Sequence, residues 1–147
     1  MRHRSVASRS RIPRIYVLAG TNGAGKSSIG GAMLVAEGTE YFNPDEVAVR
    51  IRKANPGMSQ EEAQSTAWNQ GRRLLERAIA ERLDFAFETT LGGKSIPALL
   101  EKASAAAVEV RIWYVGLASP ELHMERVRAR VARGGHDIPE AKIRERY

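Results

Sequence analysis

Cysteine is absent from this 147-residue chain, which excludes disulfides and thiolate zinc sites and is compatible with a reducing compartment. Only three histidines occur, at scattered positions, so no histidine-based metal cluster is expected. No apolar run reaches the roughly 18 residues of a membrane-spanning helix. No secretory apolar segment follows the N-terminus. The expectation is a cytoplasmic protein without a membrane partner. Internal repeats and low-complexity linkers are missing too.

Acidic residues are missing from the first 14 positions. MRHRSVASRSRIPR carries Arg2, Arg4, Arg9, Arg11 and Arg14 and no carboxylate. The net charge is +6; without these five arginines, 18 basic residues face 17 acidic ones. The excess charge therefore sits in the tail. Residues 1–13 read as a solvated, disordered basic arm and 14–147 as one folded domain. Such an arm can bind nucleic acid, but the near-neutral body argues against nucleic acid as the main partner.

What is present is an alternation of strand and helix signals. IYVLAG (15–20) is a short apolar run ending in glycine, read as a buried strand. A helix is expected from Lys26 to about Ala36. EYFN (40–43) reads as a second strand, and Pro44 opens a helix in its favoured first-turn position. Ser59-x-x-Glu62 forms a capping box ahead of an apolar stripe at Ala63, Ala67, Gly71, Leu74, Leu75, Ala78 and Ile79. DFAFETT (84–90) is a third strand, followed by a helix around 95–106. VEVRIWYVG (108–116) is the fourth and longest strand. Ser119-Pro120 opens a helix to about Ala132, and a last helix begins near Pro139. This alternation predicts a mostly parallel four-stranded sheet covered on both faces, with ligands beyond the carboxyl ends of the strands.

Gly20-Thr21-Asn22-Gly23-Ala24-Gly25-Lys26-Ser27 satisfies G-x-x-x-x-G-K-[ST] in full, between a strand and a helix, and Ser28 follows. Glycines let consecutive N–H groups turn inward onto phosphate oxygens, and the helix N-terminus adds its positive dipole end. Lys26 is expected on the β- and γ-phosphates of ATP or GTP, and the Ser27 hydroxyl on Mg²⁺. The alternative is a chance glycine-rich turn. The fourth strand lacks the terminal aspartate common in hydrolysing ATPases; acids stand instead at Asp45 and Glu88. That distribution suits a small kinase, in which an acid must meet the acceptor.

Asp45, in YFNPDE, could take the proton of an attacking hydroxyl, or simply complement a helix dipole. Glu88 and Thr89 would sit at the mouth of the sheet; the alternative for Glu88 is an ion pair with an arginine. Arg126 and Arg130 are four apart on a helix and Arg133 follows. They could neutralise charge on a transferring phosphoryl group, or form a solvated face.

Together, LAGTNGAGKSS, YFNPDEVA, FAFETTLGG and RVRARVARGGHDIPEAKIRERY resemble the zeta-toxin family of P-loop kinases, in the same order over most of residues 14–147. The resemblance implies a kinase-like three-layer fold using ATP or GTP with Mg²⁺. It implies transfer to a hydroxyl of UDP-N-acetylglucosamine or a related UDP-sugar, and an antitoxin partner that blocks the nucleotide site. By motif position, Asp45 resembles the catalytic base, Lys26 and Ser27 the phosphate and Mg²⁺ residues, and Glu88 and Thr89 substrate contacts. Arg126 and Arg130 resemble the triphosphate-binding arginines; Arg146 falls in a matching Arg-Tyr end motif without an assigned role. Relatives continue through another helix and a final strand. The expectation is therefore an unpaired sheet edge at 108–116, with self-association or weakened ATP affinity. The competing functions are an impaired nucleotide-binding protein acting through a partner and a nucleic-acid-directed kinase.

Overall fold

A computed structural model describes residues 11–20, 39, 41–116, 119–134 and 137–146. The helix expected over 26–36 and residues 1–10 of the basic arm lie outside the described residues. The described elements are β1 (Arg14–Ala19), β2 (Tyr41–Phe42), α1 (Pro44–Ala54), α2 (Gln60–Glu81), β3 (Phe85–Thr89), α3 (Ser95–Ala105), β4 (Glu109–Tyr114), α4 (Pro120–Ala132) and α5 (Glu140–Arg146). The four strands form one sheet in the order β2-β3-β1-β4, and every pairing is parallel. Parallel neighbours need crossover connections, which α2 and α3 supply with their flanking chain.

β1 starts one residue earlier than its apolar run because Arg14 joins the ladder opposite Glu109, to which its guanidinium is bonded at 3.1 Å. Arg14 is thus part of the sheet, and Arg11 pairs with Asp84 at the same end of the strands. β4 is six residues, no longer than β1, because Val108 and Val115 lie outside it. Of the strand expected over 40–43, Tyr41 and Phe42 form β2, Glu40 lies outside the described residues, and Asn43 leaves the strand to cap α1.

α2 is nucleated as its sequence dictates. The Ser59 hydroxyl accepts from Glu62 N at 3.1 Å, and the Glu62 carboxylate accepts from Ser59 N at 2.8 Å. Donation to the carboxylate from Ser59 N, and secondly from the Ser59 side chain, holds the Glu62 carboxyl below its ordinary pKa. Its stripe divides between two clusters. Ala63 and Ala67 pack with Ala48 of α1, while Leu75 and Ala78 join Phe42, Phe85 and Phe87 beneath the sheet. Gly71 is required at the crossing: a Cβ there would stand 2.6 Å from Cε1 of the buried Phe42 ring. The absence of a side chain lets α2 sit directly on β2.

Candidate active site

The strand order defines where a ligand can sit. From β1 the chain crosses to β2 on one side of the sheet; from β3 it crosses β1 to reach β4 on the other. Crevices open beyond the carboxyl ends of strands at such a reversal. Gly20, first residue of the glycine loop, lies at that point. Its N–H donates to the Thr89 carbonyl at 3.2 Å, tying the loop's start to the end of β3. Its φ is 148°, and a Cβ would lie 2.1 Å from the Val115 carbonyl oxygen. Only glycine fits between these two backbones. Thr21, Asn22, Gly23, Ala24, Gly25, Lys26, Ser27 and Ser28 lie outside the described residues.

Beside this point a cleft of about 540 Å³ is walled by the β2–α1 turn, one side of α2, the loop after β3, and Ile138. Asp45 lines it from the first turn of α1. The turn is fixed by buried Asn43, whose side-chain oxygen accepts from Asp45 N at 3.0 Å and Glu46 N at 3.5 Å, while Pro44 presets the helical φ. Asp45 is half-buried toward the cleft; Glu46 beside it is exposed and outside the lining. Both acids complement the helix dipole, but one alone meets the cleft.

Glu88 is buried at the end of β3 and lines the same cleft. The Tyr41 hydroxyl donates to its Oε2 at 2.6 Å. Tyr41's phenol is pushed far above its ordinary pKa, first by burial, then by that bond and by the Glu88 and Glu46 charges. It stays a donor at any working pH and fixes the carboxylate's orientation. The Thr89 hydroxyl accepts from Leu91 N at 3.1 Å, which holds Leu91 at a φ of 54°, uncommon for leucine.

The structure therefore brings Asp45, Glu88 and Thr89 to one cleft, next to Gly20. It does not bring Arg126 or Arg130 into that lining. Both lie on α4, where Arg126 is exposed and Arg130 half-buried with a buried Nε. α4 packs on α5 through Met124, Val127 and Ile143. His123 joins this buried face, whereas Val131 is 36% exposed. Sequence reasoning gave no role to Tyr41, Trp68 or Arg72, all at or beside the cleft. Tyr41 acts through a partner 47 positions away, and no local pattern signals that pairing.

A parallel sheet with Gly20, where the glycine-rich motif begins, at its reversal point, and acids gathered beyond its strands, defines a kinase-like P-loop fold. The chain belongs to the zeta-toxin family, whose profile it matches over residues 2–147. It is 32% identical over 128 residues to an uncharacterized protein of Haemophilus influenzae, covering 87% of this chain and 88% of that one. A candidate kinase from Chloroflexus aurantiacus has the same fold, with a TM-score of 0.72 at 14% identity, over 91% of this chain and 74% of the other. A chain of the PezAT chromosomal toxin–antitoxin system of Streptococcus pneumoniae superposes with a TM-score of 0.63 at 18% identity. That match covers 86% of this chain and 57% of the pneumococcal one. No helix among the described residues is long and apolar enough to cross a membrane.

Proposed function

We propose that this protein is a small-molecule kinase that transfers the γ-phosphoryl group of ATP or GTP to an acceptor hydroxyl, with a UDP-sugar as the acceptor class. The observation that carries this reading is the convergence of Asp45, Glu88 and Thr89 on one cleft beside Gly20. The cramped glycine geometry at position 20 fits a phosphate loop, since backbone takes the space a side chain would fill. Lys26 and Ser27 would hold the nucleotide and its Mg²⁺; when bound, these supply the phosphoryl group and offset its charge. Asp45 would orient the acceptor hydroxyl and take its proton. Tyr41 keeps Glu88 as a fixed acceptor for a second hydroxyl, and Thr89 lines the cleft beside it. Arg126 and Arg130 would approach the triphosphate from α4, which Ile138 connects to the cleft.

An antitoxin that covers the nucleotide site is the partner this reading implies, in line with the toxin–antitoxin system of the pneumococcal relative. The test is incubation with labelled ATP, Mg²⁺ and a panel of UDP-sugars, nucleotides and polynucleotides, with the product identified by mass. A phosphorylated UDP-sugar, lost in Lys26→Ala, is expected. ATP binding without any labelled product would support a binding protein instead, and a labelled polynucleotide would support a nucleic-acid kinase.

A further inference from the structure

The α2 wall of the cleft carries two side chains that the transfer chemistry does not use. Trp68 and Arg72 stand one turn apart on α2, and both line the cleft. Trp68 is 44% exposed although it is among the largest apolar side chains in the protein. Leaving an indole in water forfeits burial that a ligand would restore. The Arg72 guanidinium lies 5.8 Å from the Trp68 ring centroid, and its Nη1 donates to Glu76 at 3.0 Å. Its Nε is buried without a hydrogen-bond partner among the described residues. That atom is closed to solvent, but the Arg72 side chain as a whole is 35% exposed on the cleft wall, and its guanidinium can donate to an anionic oxygen there.

Charge gives the pair a direction. Asp45, Glu61 and Glu88 make the cleft acidic, and Arg72 is the one cation in its described lining. Among the described lining residues, Arg72 is therefore the group that would attract an acidic group on the acceptor. Gly71, between the two residues, keeps that part of the wall low because a Cβ would strike Phe42.

We infer that Trp68 and Arg72 are the specificity residues of the acceptor site: Trp68 covers a flat ring and Arg72 binds an acidic group, phosphate or carboxylate, of the same molecule. This anchors the acceptor at the α2 wall and turns its free hydroxyl toward Asp45. The inference rests on the kinase reading for the word acceptor, but binding can be measured without transfer.

The protein has two tryptophans, so Trp113→Phe leaves Trp68 as the sole indole reporter. Its emission is titrated, with a non-hydrolysable ATP analogue and Mg²⁺ present to fill the nucleotide site. The probes are uridine 5′-monophosphate, uridine and ribose 5-phosphate, which offer ring and acid, ring alone, and acid alone. The expected result is quenching by the monophosphate at least about tenfold tighter than by either part. Arg72→Gln should erase its advantage over uridine, and Arg72→Lys should restore part of it. Equal binding of all three, no change in Trp68 emission, or a preference that survives Arg72→Gln would overturn the inference. The comparison of probes with Arg72 intact stands even if the Arg72 variants fold poorly. A labelled UDP-sugar product without the Trp68 response would refute this inference alone; the response without any product would refute the kinase reading alone.

Discussion

β3 and β4 flank β1 in the same direction and in matched register, yet they live in opposite surroundings. On β3, Phe85, Ala86, Phe87 and Glu88 are all buried. On β4, Ile112, Trp113 and Tyr114 are 50%, 39% and 59% exposed, although Trp113 stacks on Tyr16 at 5.8 Å. The difference follows from position. β3 is an interior strand with β2 beyond it and α2 and α3 packed in the same core. β4 ends the sheet among the described residues. Apolar sequence alone does not secure burial; a strand needs neighbours on its edge and its faces. The cleft lies on the well-packed side, where the Glu88 carboxylate is held by the Tyr41 hydroxyl.

Variants that sharpen this contrast rank by size. Gly20 touches both sides, bonded to Thr89 and pressed against Val115. Gly20→Ala should cost about 4 kcal/mol in urea unfolding, because the clash is with backbone and the φ is positive. Leu75→Ala, fully buried against β3, should cost about 3 kcal/mol in the same measurement. Asn43→Ala removes a buried cap and should cost about 1 kcal/mol, with a fall in transfer rate as Asp45 loses its anchored turn. Ile112→Thr, at the β4 edge, should change stability by less than about 0.5 kcal/mol. A large loss at Ile112, matching that at Leu75, would break the contrast and mean that β4 is covered in solution.

Much of the fold was legible from local pattern. The capping box at Ser59, the proline at 44 and the Ser119-Pro120 start each specify a helix end through bonds within a few residues, and all three form. The parallel sheet followed from the alternation of elements. What escaped were facts set by the third dimension. The charge of Arg14 was counted with the basic tail because its partner Glu109 lies 95 positions on. The stripe on α2 identified its core face, but not that the neighbouring flank of Trp68 and Arg72 meets a cleft. Asp45 was proposed from a strand–turn–helix context that the fold reproduces. Arg126 and Arg130 came from helical spacing and from motif resemblance, which set a row on α4 but not what that row faces.

The central claim is that Asp45 activates an acceptor in the cleft beside the phosphate loop. It is tested most directly by comparing phosphoryl-transfer rate and ATP affinity in the natural protein and Asp45→Asn, which keeps the side chain's shape. The account predicts a rate loss of about 10²–10⁴-fold with ATP affinity within about twofold. Transfer at an undiminished rate by Asp45→Asn would contradict it.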